Sequence, residues 1–373
     1  MADIPANRFV ADDFLGSLTP DSWAYILCNV GDGDSQLVLL PEENGRRKAI
    51  VVDAYTDKVV RLIDALTTSG ALDGNMDLAL VVATHPHQDH ISNMPNLFRR
   101  HGDRIVEFWD PGYFHTISAY TSLMKELQER RGTITYAQPT AGLRRWIGGT
   151  LVTVLSPAVS LRNRFDTYGT EINDSSISLR IDHPVSRSTN RDSLGRLEKD
   201  DVATSSLILG GDAQTLSWSH VMVDFPYLPA SSSEAARAIA AATGSKDLLN
   251  TDVVKVSHHG SKRGVNLELM ERFSAGVVLV SSRTRDDSKH GFPHLITQEV
   301  IREVKEPIAT QHAGSRTRDD WENKIYYTHD RDSGGTKLGS IGVVFRGDSR
   351  KIWRFGDDRL QPIDLADARR LVD

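Results

Sequence analysis

The chain has 373 residues, enough to bury a sizeable core without disulfides or metal staples. Its 39% hydrophobic content excludes disorder, and 28 Gly and 14 Pro without a period exclude collagen-like or low-complexity character. A net charge of −6 argues against broad nonspecific coating of DNA but leaves room for an anionic substrate at a metal centre. The one cysteine, Cys28, cannot form an internal disulfide, and no apolar run approaches the roughly 20 residues of a membrane span. The start, MADIPANRFVADDF, is acidic and lacks a signal-peptide core. Together these point to a cytoplasmic protein without a membrane partner. The less ordinary number is 13 histidines.

In chain order, Trp23 to Val30 and Gln36 to Leu40 read as a strand pair around the turn Gly31-Asp32-Gly33-Asp34. A third apolar run, Ala49 to Asp53, ends in an acid. Val59, Leu62, Ile63 and Leu66 then recur at helical spacing, with Gly70 as a stop. LALVVAT is a continuous apolar strand of the buried kind that closes at His85. Ile91, Met94, Leu97 and Phe98 form one face of a following helix, so the segment from Thr84 to His90 is a strand-to-helix loop, where functional groups concentrate. A second helix is predicted over 116–130, then strands near 150–155, 176–181 and 205–210. Between the last two lies a polar, charge-mixed excursion. An Ala-rich helix around 233–243 follows. Strands Val253 to Ser257 and Val277 to Ser281, a helix over 295–305 and strands at 324–328, 341–346 and 351–355 complete the series. No linker separates the halves. The reading is one α/β domain over 22–355 with the excursion at 182–204, an N-terminal extension 1–21 and a tail 356–373.

Residues 84–90 read Thr-His-Pro-His-Gln-Asp-His, which contains H-x-H-x-D-H. Random chains of this length carry that pattern on the order of once in a thousand. The spacing explains the chemistry. His85 and His87 point the same way from an extended segment and can chelate one metal, while Asp89 and His90 face a second. Imidazole and carboxylate together suit Zn²⁺ or a similar borderline ion. Two such ions can share a hydroxide and clamp an attacked ester.

This motif resembles the signature of the metallo-β-lactamase superfamily, and further elements resemble the hydrolase domain of ComEC-type competence proteins. They are Asn29 through Ser35 (NVGDGDS), Val52-Asp53, Asn173-Asp174-Ser175-Ser176, Leu209-Gly210-Gly211-Asp212-Ala213 and Val256 through Lys262 (VSHHGSK). Phe292-Pro293-His294, Tyr327-Thr328 and Gly339-Ser340-Ile341 follow in the same order. The resemblance runs from about residue 22 to 346. It implies an αββα sandwich of two mixed β-sheets flanked by helices, built from two pseudo-repeated halves of roughly 22–172 and 173–355. It also implies a site at one edge holding two divalent ions, Zn²⁺ first and Mn²⁺ as the alternative. By that resemblance His85, His87, Asp89, His90, Asp212 and His258 are the metal ligands, with Asp212 bridging. His259 is an alternative ligand to His258, since adjacent histidines are expected to face opposite ways. Asp89 and His294 are the candidate catalytic residues, with His294 protonating the leaving group or binding the scissile phosphate. His259, Gly260, Ser261, Lys262, Asn173 and His290 are candidates for binding substrate, Gly260 and Ser261 through backbone N–H groups and a hydroxyl.

Two departures stand out. Most of the superfamily has another metal-binding histidine before the bridging Asp. Here only His101, His115 and His183 lie in that interval, none at a matching element, so Asn173, Asp174 or water is expected to help the first metal. The family's Asn four residues before the late histidine is His290 here. The expected reaction is hydrolysis of a phosphodiester in DNA or a nucleotide by metal-bound hydroxide. Lys262 and Arg263, with Arg187, Arg191, Arg196 and Lys199 of the excursion, would serve as phosphate partners. The alternatives are hydrolysis of a non-nucleotide ester, lactone or amide, and a metal-stabilised partner-binding module without catalysis.

Overall fold

A computed structural model describes residues 4–162, 171–183, 205–226, 234–235, 247–305, 325–347 and 349–372. Its strands begin with Phe9–Ala11 (β1), Trp23–Leu27 (β2), Ser35–Glu43 (β3), Arg46–Ala54 (β4), Leu78–Val82 (β5), Glu107–Trp109 (β6) and Thr135–Ala137 (β7). There follow Arg144–Ile147 (β8), Thr150–Ser156 (β9), Ser178–His183 (β10), Ser205–Leu209 (β11), Val253–Lys255 (β12), Val277–Val280 (β13) and Ile325–Tyr327 (β14). Ile341–Arg346 (β15), Ser349–Arg354 (β16) and Arg369–Leu371 (β17) close the chain. The described helices are Lys58–Thr68 (α1), Gln88–Ile91 (α2), Met94–His101 (α3), Ser118–Glu129 (α4), Thr215–Asp224 (α5), Leu267–Phe273 (α6) and Leu295–Lys305 (α7). None of them is long and apolar enough to cross a membrane.

The strands form two mixed sheets, one in the order β1-β17-β16-β15-β2-β3-β4-β5-β6-β7 and the other β14-β13-β12-β11-β10-β9-β8. Alternation along each strand separates three apolar layers. Tyr25, Leu27, Val38, Ile50 and Val52 face Val152, Val154, Leu179, Ile181 and Leu207 between the sheets. The opposite faces of the same strands, Ala24, Ile26, Leu37, Leu39 and Val51, pack under α1, α3 and α4. On the far side, Ile208, Val254, Val256, Val278 and Val280 pack under Trp218, Phe273 and Ile301 of α5 to α7. This is the αββα sandwich that the sequence implies.

The single helix expected across Ile91 to Phe98 is two. It breaks at Ser92–Asn93, where Pro95 in the first turn of α3 restarts the ladder without needing an N–H donor. Five short strands escape the sequence patterns, β1, β6, β7, β8 and β17, because four residues or fewer show no periodicity. Two of them tie the end segments into the first sheet, Phe9 pairing with Leu371 and Ala11 with Arg369. The polar excursion with its four cations and nearly all of the Ala-rich helix lie outside the described residues.

Candidate metal centre

The site gathers where parallel strands of both sheets end. The loop after β5 carries His85 and His87, and α2 carries Asp89 and His90. From the other sheet, a Gly-Gly turn after β11 delivers Asp212. Gly210 is required there, because a Cβ would meet Ser257 Oγ at 2.2 Å. The Asp212 N–H donates to Ser176 Oγ at 3.2 Å, so the Asn-Asp-Ser-Ser segment supports the turn. His258 and His259 follow β12 on a tight turn.

Asp212 is buried, and its two oxygens face different partners. Oδ1 lies 3.3 Å from His90 Nε2 and 3.6 Å from His259 Nε2, and the latter is 3.7 Å from Asp89 Oδ2. Oδ2 lies 3.8 Å from His85 Nε2 and 3.7 Å from His258 Nε2. His85 Nε2 in turn is 3.0 Å from His87 Nδ1. The adjacent histidines therefore do not point in opposite directions. Both adopt left-handed backbone, φ 50° and 52°, a conformation costly for a non-glycine residue, and this turns both imidazoles onto one carboxylate.

The donor set fits a cation. Asp89, His90, Asp212 and His259 bring one ligand atom each to within 4.8 Å of one another. His90 Nε2, Asp212 Oδ1 and His259 Nε2 are buried with no hydrogen-bond partner, and the 3.3 Å approach of the first two lacks hydrogen-bond alignment. Leaving such groups unpaired costs about 1–3 kcal/mol each, which a divalent ion would offset. Burial opposes ionisation of Asp212, yet His90, His258 and His259 hold its carboxyl well below the usual range. Burial likewise works against the charge on His90, but Asp212 and Asp53 hold it well above its ordinary value. His85, pushed well below the usual value by burial and then by His90, presents a neutral imidazole.

A second group, Asp34, Asp53 and His90, also lies close together, but its charges are already matched. His90 Nδ1 donates to Asp53 Oδ2 at 2.7 Å, and Thr84 donates to the same carboxylate through N–H and hydroxyl. This fixes the tautomer of His90 so that Nε2 faces Asp212. Asp34 forms a buried ion pair with Lys255. His259 Nδ1 sits 3.1 Å from the Ser281 carbonyl, which orients that ring.

The remaining candidates stand apart from the Asp212 cluster in their contacts. His294 is half-buried and its N–H donates to Gly260 O at 2.9 Å. His290 is exposed and stacks on Phe292, whose ring also packs against His258. Asn173 Oδ1 is buried, with no hydrogen-bond partner among the described residues. Lys262 is exposed and has no ion pair among the described residues. Three candidates already have local partners. The Ser261 N–H donates to His258 O at 2.7 Å, which takes its backbone donor but not its hydroxyl. Arg263 is tied to Glu171 at 3.2 Å. Asp174 accepts from the N–H and hydroxyl of Ser217 through Oδ1 and so braces the start of α5. One residue gains importance: His115, in no recognisable motif, lies with its ring 6.3 Å from that of His87. Only the fold brings the loop after β6 there.

No family model and no curated protein matches the chain. Solved structures that align with it include the metallo-β-lactamase fold protein YhfI from Bacillus subtilis, at 12% identity over 82% of this chain and 96% of that one, TM-score 0.39. A long form RNase Z from yeast aligns at 11% identity over 70% and 38%, TM-score 0.37. A diphosphatase from the PhnP family aligns at 10% over 83% and 95%, TM-score 0.36.

Proposed function

We propose that the chain is a metal-dependent hydrolase that cleaves a phosphodiester of DNA or of a smaller nucleotide. The observation that carries this reading is that each oxygen of Asp212 is turned to its own set of histidines, as a carboxylate between two ions would be. His85, His87 and His258 with Oδ2 would hold one divalent ion, and Asp89, His90 and His259 with Oδ1 the other. Such a pair supplies Lewis acidity and a bound water acidic enough to ionise near neutral pH.

The chain's own residues do the rest. Asp53 and Ser281 fix the ring orientations of His90 and His259. His294 carries an imidazole suited to protonating the departing oxygen, its backbone anchored on Gly260. Lys262, His290 and Asn173 offer donors to the phosphate and its flanking groups. The ordered set of motifs shared with ComEC-type hydrolases supports a phosphodiester over a carboxylic ester.

The test is a substrate panel with purified protein loaded with Zn²⁺ or Mn²⁺, alongside metal quantification. Cleavage of single-stranded DNA, duplex DNA, RNA or a cyclic nucleotide that disappears in Asp212→Ala is the expected result. If all of these remain intact, the reading fails. Hydrolysis of a lactone without hydrolysis of bis-p-nitrophenyl phosphate would assign a carboxylic ester substrate instead.

A further inference from the structure

A cavity of about 340 Å³, into which none of the candidate metal ligands or substrate-binding residues extends, is lined in part by the glycine-rich turn after β2 and the segment after β13. Its wall carries Arg283, Arg331, Lys337 and Arg359 against Asp287 and Asp358, four cations to two carboxylates and so a surplus of two positive charges. Lys337 is paired with Asp358. Arg283 and Arg359 have no ion pair and no side-chain hydrogen bond among the described residues. Two atoms of the wall, Arg283 Nε and His329 Nε2, are buried without a hydrogen-bond partner among the described residues.

The cavity and the centre share two elements. Ser281 and Ser282 are consecutive residues at the end of β13. The first accepts from His259, and the second lies against His329, with its carbonyl 3.1 Å from Nδ1. The glycine-rich turn after β2 serves both sides as well. A Cβ on Gly33 would meet the Asp89 carbonyl at 2.7 Å, while one on Gly31, which has φ +85°, would meet Arg283 Nε at 3.0 Å and Arg359 Cδ at 3.1 Å. One glycine thus admits the metal loop and the other admits the two guanidiniums.

The backbone that carries these two arginines is held in advance, through main-chain and Lys58 contacts. The Arg283 N–H donates to Asp32 Oδ1 at 3.0 Å on the same turn. Lys58, itself buried, donates to Asn29 O, Asp357 Oδ2 and Asp358 O, fixing the segment that carries Arg359. Guanidiniums with unclaimed donors on an anchored backbone suit a phosphate, which accepts bidentate bonds.

We infer that this cavity is an anion subsite that takes a second phosphate group of the substrate, beyond the one attacked at the metal centre. The inference rests on the phosphodiesterase reading and narrows it to substrates carrying more than one phosphate.

Calorimetric titration of the full chain with pyrophosphate tests the subsite independently of turnover. Saturable binding is expected, weakened about tenfold or more by Arg283→Gln and further by adding Arg359→Gln, as loss of charge-assisted hydrogen bonds implies, and retained in Asp212→Asn. Absence of saturable binding overturns the inference, as does binding that survives R283Q/R359Q. Melting curves check that the variants fold, and Arg359→Gln alone serves if the double variant does not. A second arm compares kcat/KM for a dinucleotide with and without a 5′-phosphate. Wild type should prefer the phosphorylated form by about tenfold and R283Q/R359Q should not; equal values in wild type overturn the substrate role. If no phosphodiester is cleaved at all, the functional reading has failed, and the pyrophosphate titration still decides whether the cavity binds anions.

Discussion

The two halves of the molecule repeat one strand pattern and use it differently. From β2 to β7, neighbours pair antiparallel, antiparallel, then parallel three times, and β9 to β14 do the same. In each half the third strand leads to an aspartate, Asp53 or Asp212. In each half the fourth leads, three residues past its end, to a histidine, His85 or His258. Yet Asp53 meets one imidazole and a threonine, and burial raises its pKa against the pull of His90. Asp212 meets four imidazoles and sits well below the usual range. Position in the repeat delivers a carboxylate; the number of imidazoles around it separates one that steadies a single ring from one at the hub of a histidine cluster.

That contrast can be broken by substitution. Asp212→Ala should lower both bound metal and turnover by at least about a thousandfold, more than the roughly tenfold to hundredfold typical of losing an outer partner. Metal analysis together with an assay on bis-p-nitrophenyl phosphate measures both, and retention of two equivalents of metal would refute the bridging role. His294→Ala should reduce kcat by about a hundredfold while leaving metal content unchanged, since it removes a proton donor and no ligand. A matching drop in bound metal would instead place it among the ligands. Asp53→Asn should weaken metal binding by about tenfold to a hundredfold and leave the protein folded, because only the tautomer and orientation of His90 are loosened. Competition with a chelator reads this directly.

The smallest effect is expected at Cys28, in the apolar layer of the first half. Burial pushes its thiol up to about 12, outweighing the opposing pull of Lys58. The group is therefore neutral below that value, and its thiolate appears only as the pH climbs toward it. Native protein should resist thiol alkylation at about pH 8 and react once unfolded, as mass spectrometry can record. Rapid labelling of native protein would show that the layer opens.

The local parts of the site are legible in the sequence, because H-x-H-x-D-H places four side chains within six residues, two on the loop after β5 and two on the short helix α2. The Gly-Gly-Asp and His-His-Gly-Ser segments are legible only through their order along the chain. What stays hidden depends on three-dimensional placement. The Asp53–His90 bond spans 37 positions, and the Asp34–Lys255 pair spans 221. His115 has no motif around it, and the left-handed turn at His258–His259 reverses the expectation that neighbours diverge. Ser261, Arg263 and Asp174 had suitable chemistry for substrate or metal, but the fold had already assigned them local partners.

The wiring of the two sheets also sets an order of assembly. The second sheet draws its strands from one continuous stretch, Arg144 to Tyr327, and its pairing partners are all available once that stretch has been synthesised. The first sheet must wait. The wholly buried strand Trp23–Leu27 has β15 as its second neighbour, and Trp23 pairs with Phe345 across more than three hundred residues. Until the ribosome has delivered that segment, an apolar strand edge stands open, which is the kind of surface that chaperones cover and that seeds aggregation. The folding hazard of this protein is thus concentrated in its earliest strands and ends only with its last ones.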